Sequence, residues 1–327
     1  MISGAFSPGL IHLLALRWQF CYTDARMETQ GITFYNRYTG QMEQEKVLGE
    51  GALRWVYGTP LGRLSLHLLI KRAFFSRLMG WMKDTRSSGS PEKLKAFVEE
   101  YQINMADFER PADQYTSFND FFYRKLAPGA RPLCAGGQVA LPADGRHSGW
   151  QDAAEMDGVF VKNQRFDLPA LLGSAELAEK YAHGTVVLSR LCPVDYHRFH
   201  FPAAGVPEAP VRIPGPLASV SPYCLRRNLA WLWTNKRELT VLHTGELGDV
   251  LCLAVGATGV GAIYQTYEPG KAVEKGDEHG YFGFGGSTVM TFFEPGRVKL
   301  AEDILTNSAT CTETFARMGD TLGTIIR

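Results

Sequence analysis

The sequence has no surplus of either charge: 34 Lys and Arg stand against 34 Asp and Glu in 327 residues. A protein built to neutralise a polyphosphate backbone carries a basic excess, so nucleic acid is not expected as a partner. Cysteine is sparse. Its six copies, at 21, 134, 192, 224, 252 and 311, form no CxxC pair, which excludes a disulfide framework and zinc-finger spacing. The start, MISGAFSPGLIHLLALRWQF, has neither a basic n-region nor a small-residue cleavage site, so no cleavable signal peptide is expected and the chain reads as intracellular. Met27 opens a more typical polar start, which sets residues 1–26 apart as an upstream extension or a misassigned start. A long uncharged apolar run is missing too. The most apolar helical stretch, LSLHLLIKRAFFSRLMGWM over 64–82, contains Lys71, Arg72 and Arg77, and three fixed cations in a barely sufficient length argue against a transmembrane helix. Repeats, low-complexity tracts and βαβ alternation are also lacking, and the last of these argues against a doubly wound parallel sheet.

Hydrophobic residues make up 45%, aromatics 12% and charged residues 21%, enough apolar material for one large core or two modest ones. Within 64–82 the apolar positions do not fall on one tidy face. A membrane-surface helix with snorkelling Lys71, Arg72 and Arg77, and an ordinary core or dimer helix, both stay open. The polar turn DTRSSGSPEK leads into a helix over roughly 91–105, with Ser90 as N-cap and Pro91 in the first helical position. SFNDFFYRKL (117–126) reads as another short helix. Beyond residue 130, short β-rich runs bounded by Gly and Pro take over: GVFVK (158–162), GTVVLSRL (184–191), DVLCLAVGA (249–257), VGAIYQTY (260–267), STVMTFFEP (287–295) and RVKLA (297–301). The expected fold class is α+β, helices first and then a mostly antiparallel β domain.

Three segments place reactive groups among turn-forming residues. In GYFGFGGSTVMTFFEPGRV (280–298) glycines crowd before Ser287, and a β-branched, aromatic run follows. A phosphate-cradling loop or a hydrolase elbow needs a helix there, so both readings weaken. A glycine pair before a serine permits a bend that brings the hydroxyl to the preceding carbonyl, although a plain Gly-rich hairpin turn also accounts for it. In CPVDYHRFHFP (192–202), Asp195, His197 and His200 lie between Pro193 and Pro202, which favour an extended or turn conformation. An extended strand puts His197 and His200 on opposite sides, against a two-histidine metal clamp, and no metal is expected. Either histidine could equally be a satisfied structural group. In LPADGRHSGW (141–150), turn chemistry alone accounts for Asp144; a buried aspartate orienting an imidazole is the functional alternative.

Taken in order, PADG at 142–145, DYHRFHFP at 195–202 and GGST at 285–288 followed by VMTFFEPGRV resemble the phosphatidylserine decarboxylase family, whose enzymes are pyruvoyl-dependent and cut themselves. YTSFNDFFYRKL (115–126), VGATGVGAI (255–263) and TETFARMGDTLG (312–323) add to the match. It covers about 110–327 well and 27–110 more loosely. The family's usual LGST is GGST here, with the serine and its preceding glycine intact.

The resemblance implies a precursor. In it His200, oriented by Asp144, deprotonates Ser287, whose attack on the Gly286 carbonyl and subsequent β-elimination cut the chain between Gly286 and Ser287. The products are a β chain, 1–286, and an α chain, 287–327, capped by a covalent pyruvoyl group derived from Ser287. The implied reaction converts phosphatidylserine to phosphatidylethanolamine and carbon dioxide through a Schiff base to that ketone, with His197 as the general acid. Also implied are a β-rich catalytic domain over 111–286 plus 287–327 related to the biotinyl/lipoyl-type barrel, and a helical region over 27–110 that meets the membrane surface. The β and α chains are expected to stay associated, as a homodimer, peripheral on the cytoplasmic side of a membrane. Three other readings remain: the same chemistry on a soluble amino acid, a non-catalytic lipoyl-like binding module, and a Ser/His/Asp hydrolase.

Overall fold

The computed structural model describes residues 31–70, 73–158, 166–225, 228, 230–258, 262–283 and 287–327. In chain order the strands among them are β1 (Thr33–Asn36), β2 (Gln41–Gln44), β3 (Gln138–Ala140), β4 (Gly145–Trp150), β5 (Thr185–Leu191), β6 (Arg198–His200), β7 (Val206–Pro207) and β8 (Val211–Ile213). There follow β9 (Arg237–His243), β10 (Asp249–Val255), β11 (Ile263–Gln265), β12 (Glu278–Phe282), β13 (Ser287–Phe293), β14 (Val298–Leu300), β15 (Glu313–Ala316) and β16 (Thr321–Ile325). The early helices are α1 (Glu50–Gly58), α2 (Pro60–Ser65), α3 (Ala73–Asp84), α4 (Pro91–Glu100) and α5 (Phe118–Phe122).

Ten strands make one sheet in the order β2-β1-β15-β4-β5-β13-β10-β9-β7, with β8 also on β9. The pairs are antiparallel except β1 with β15, so this is the mixed α+β arrangement with sheets dominating. The barrel implied by the resemblance does not form among the described residues. The ends of the order, β2 and β7, are not partners, and the N-terminal hairpin β1–β2 extends one edge. That hairpin lies inside the stretch expected to be helical, 27–110; its turn carries Gly40 at φ +67°, a backbone conformation that favours glycine. Two three-stranded sheets, β11-β12-β6 and β14-β16-β3, flank the large one. The run expected at 158–162 lies outside the described residues from 159 onward.

β5, β10 and β13 are hydrophobic runs rather than alternating ones because each is buried on both faces. Val186, Leu188, Met290 and Phe292 feed one core, whereas Val187, Cys252 and Phe293 feed another on the opposite face. A third, smaller cluster holds Ala143, Leu191, Phe199, Ala254, Ile263, Phe282 and Val289. Each of the three sequence motifs contributes to that cluster, so apolar packing brings together segments far apart in the chain.

Candidate active site

Around this cluster the motif residues take up their positions. Ser287 is the first residue of β13, opposite Leu191 of β5. Its side chain is fully buried, and among the described residues its hydroxyl has no hydrogen-bond partner. A buried hydroxyl left unpaired costs roughly 1–3 kcal/mol, so such a group invites a chemical reason. Gly286 lies outside the described residues.

Asp144 sits on the bend before β4, where Gly145 is needed for a different reason than turn chemistry: a Cβ there would stand 2.5 Å from the Arg190 carbonyl oxygen of β5. The Asp144 carboxylate accepts from Arg131 Nη2 at 2.7 Å and Nε at 3.1 Å, and from the Met318 N–H at 2.8 Å. His200 is anchored separately. Its N–H donates to Pro142 O at 2.7 Å, its ring Nδ1 lies 2.8 Å from Gly276 O, and its Nε2 lies 3.0 Å from the Tyr196 hydroxyl. A carbonyl oxygen only accepts, so Nδ1 carries the hydrogen and Nε2 the lone pair, to which Tyr196 donates. Asp144 and His200 thus share a backbone neighbourhood, while each side chain is held by other partners. Burial lowers the His200 pKa, partly offset by the Gly276 hydrogen bond and the charges of Glu278 and Asp144.

His197 precedes β6. Its Nδ1 donates to Asp195 O at 3.0 Å, its ring lies against Phe122 with centroids 3.7 Å apart, and its carbonyl accepts the Phe282 N–H at 3.0 Å. The two histidines therefore have separate environments. The Asp195 carboxylate serves neither ring: it takes Arg146 Nη1 at 2.5 Å and the Cys192 N–H at 2.7 Å. Arg131, Tyr196, Arg146 and the Gly276 carbonyl had not been singled out from sequence. Tyr196 and Arg146 each carry a signal, Tyr196 inside DYHRFHFP four residues before His200 and Arg146 inside LPADGRHSGW two residues after Asp144; nothing in the spacing of Arg131 connects it to Asp144.

A cleft of about 310 Å³ runs beside Asp144, walled by Arg131, Arg146, Asp195 and Tyr196. A second cavity, of about 270 Å³, is apolar on one side, where α1 contributes Leu53, Val56 and Tyr57, and reaches Leu191 and Cys192 on the other. Of the residues read as membrane contacts, Lys71 and Arg72 lie outside the described residues, and Arg77 is placed only as a position of α3. No helix among the described residues is long and apolar enough to cross a membrane.

Two further histidines are fully buried and held neutral. His147 lies 2.9 Å from Ser189 Oγ and 3.2 Å from Ala316 O, His279 lies 3.1 Å from Thr240 Oγ1, and burial pushes both pKa values down to about 3. Below the unfolded value of about 6.5 the unfolded chain binds protons that the folded one refuses, so stability is lost as pH falls from there toward 3. Each histidine should remove roughly 2 kcal/mol between pH 7 and 5. The exposed His243, raised by Asp249 and Glu208, acts in the opposite direction but is screened by solvent. Urea midpoints should fall clearly from pH 7 to pH 5; an unchanged midpoint would contradict these assignments.

The profile of the phosphatidylserine decarboxylase family matches residues 118–324. A phosphatidylserine decarboxylase proenzyme of Chlamydia trachomatis serovar L2 is 42% identical over 298 residues, 91% of this chain and 98% of its own length. The proenzyme of Fusobacterium nucleatum is 43% identical over 298 residues, 91% and 99% of the two chains, and that of Clostridium novyi 42% over 294 residues, 90% and 99%. The chain belongs to the phosphatidylserine decarboxylase family and is a carboxy-lyase.

Proposed function

We propose that this chain is a self-processing phosphatidylserine decarboxylase whose reactive group forms at Ser287. The observation that carries the reading is the Ser287 hydroxyl itself, buried at the head of a central strand with no partner among the described residues. His200 takes the hydroxyl proton at Nε2, from which the Tyr196 hydroxyl must first turn away, as Oγ attacks the Gly286 carbonyl, and the proton passes to the amide nitrogen as the C–N bond breaks. Loss of the Cα proton of residue 287 then expels Gly286 as a carboxylate. The dehydroalanine left behind takes up water and releases ammonia, leaving a pyruvoyl group on the new terminus. Asp144 holds negative charge near His200 and is itself fixed by Arg131 and the Met318 N–H.

An orphaned, fully buried hydroxyl fits a group made from that residue, and the pyruvoyl ketone would supply a site for the substrate amine and an electron sink as carbon dioxide leaves. His197 returns a proton at Nε2 to the substrate carbon, its Nδ1 being committed to Asp195 O.

The cut is compatible with a stable two-chain enzyme. β13 is hydrogen-bonded to β5 and β10, β15 to β1 and β4, and β16 to β14 and β3, so the 287–327 piece stays woven into all but one sheet. Val289, Met290, Phe292 and Phe293 are fully buried, and exposing them would cost on the order of 10 kcal/mol.

Access to a lipid is supported by the helical segments within 50–70 and 73–84. Their inner face packs Tyr57 and Leu66 on Cys224, whereas Leu61 (71% exposed), Leu68, Phe74 (75%), Leu78 and Trp81 point outward. Apolar residues at such spacing, clustered on these segments, suit a peripheral helix pair lying in a bilayer interface on the cytoplasmic side, and the apolar cavity behind α1 leads from there toward Leu191 beside Ser287. A homodimer completes the proposal. The test compares vesicles containing phosphatidylserine with free serine. Carbon dioxide should be released from the vesicles and not from serine, and replacing Leu68, Phe74 and Trp81 by Ser should abolish flotation with liposomes. Turnover of free serine at equal rate would favour the soluble-substrate reading.

A further inference from the structure

We propose that residues 122–124 form a positioning clamp for His197, with Arg124 as its anchor; this rests on the reading of His197 as proton donor. The clamp begins at α5, whose N-cap Ser117 accepts the Asp120 N–H at 3.0 Å. The three residues at and after the end of the helix grip the turn that carries His197. The Phe122 ring packs on the imidazole, the Tyr123 carbonyl accepts Arg198 Nε–H at 2.9 Å, and Arg124 Nη2 donates to Val194 O at 3.0 Å and Asp195 O at 3.2 Å. Asp195 O is also the acceptor for His197 Nδ1. One carbonyl therefore joins the guanidinium and the imidazole. Because it can only accept, it keeps the hydrogen on Nδ1 and leaves Nε2 as the nitrogen that gains and loses the working proton.

Arg124 is an expensive residue to keep for packing alone. It is 1% exposed, and among the described residues its guanidinium donates to the carbonyls of Phe121, Val194 and Asp195 and lies over the ring faces of Phe108 and Phe121, at 4.3 and 4.6 Å. A buried cation without a carboxylate in its hydrogen bonds is costly, and a neutral side chain would fill the same space more cheaply. What the charge adds is a fixed pair of carbonyls at the base of His197. Burial lowers the Arg124 pKa only to about 10, so it stays protonated near neutral pH.

The test uses full-length Arg124→Gln, Arg124→Lys and Phe122→Leu. Processing into two chains should proceed as in the parent. The kcat for decarboxylation should fall about 10- to 100-fold in Arg124→Gln with KM unchanged, and Arg124→Lys should recover part of it. In protein labelled with ¹⁵N-histidine, the His197 resonances, assigned by their loss in His197→Gln, should report a single Nδ1–H tautomer in the parent and a mixture in Arg124→Gln. Equal slowing of processing and turnover, or unchanged His197 resonances, would overturn the clamp. If Arg124→Gln does not fold, Phe122→Leu removes only the ring contact and should keep the Nδ1–H tautomer and normal processing while lowering kcat; a parent kcat in Phe122→Leu would overturn the clamp. Full turnover by His197→Gln would defeat the proton-donor reading, while the tautomer measurement would still decide the clamp by itself.

Discussion

Ser287→Ala is expected to remain one chain and to release no carbon dioxide from phosphatidylserine. Without the hydroxyl there is no nucleophile to attack residue 286, so neither the cut nor the electron sink can form. The loss should be roughly 10⁶-fold or more, because no other group among the described residues supplies that sink. The fold should survive. Among the described residues Ser287 Oγ makes no hydrogen bond that the substitution would break, and removing an unpaired buried hydroxyl is neutral or slightly stabilising. An equal or higher melting temperature together with an uncut chain separates lost chemistry from lost structure. Fluorophosphonate labelling of active parent protein at Ser287 would instead favour a hydrolase, since a processed enzyme has no serine left there.

The second large effect is a division of labour between two histidines. His200→Ala should be cut slowly or not at all, and Asp144→Asn likewise. His197→Ala should be cut at the parent rate yet decarboxylate about 10²- to 10⁴-fold more slowly, the usual range for a lost general acid. The structure motivates the split by giving each ring its own Nδ1 carbonyl, Gly276 O for His200 and Asp195 O for His197. The lowered pKa of His200 adds a pH expectation. Its neutral, basic form persists below the ordinary histidine value, with Glu278 and Asp144 opposing the shift and Arg198 assisting it. The acid limb of the processing rate should therefore have its midpoint below the ordinary histidine value of about 6.5, because burial lowers the His200 pKa. Gel-based cleavage rates beside carbon dioxide release would check both points. If His197→Ala behaves like His200→Ala, the assignment of separate roles is wrong.

Much of the sheet was legible because its central strands are continuous apolar runs, and TVVLSRL and STVMTFF become β5 and β13 almost to the residue. The start of α4 was equally plain from Ser90 and Pro91, but the helix ends at Glu100, short of 105, where Gln102 takes φ 54°. What escaped were pairings between distant segments. β1 lies parallel to β15, and Glu45 shares Arg190 with Glu313, contacts that no local pattern encodes. The same limit applies at the site. Ser287, His197, His200 and Asp144 stood out by type and setting, whereas Arg131 on Asp144 and Arg124 on Asp195 O depend on how the chain folds back. The expected barrel came from resemblance, and an edge hairpin with four-residue strands was too short to announce itself against it.

The central claim is that this chain makes its own reactive terminus, and the intact mass of active protein under denaturing conditions tests it most directly. The account predicts two masses, for 1–286 and for a 41-residue piece beginning at position 287 with its serine converted to a pyruvoyl group. A single mass for the whole uncut chain in a preparation that decarboxylates phosphatidylserine would contradict it.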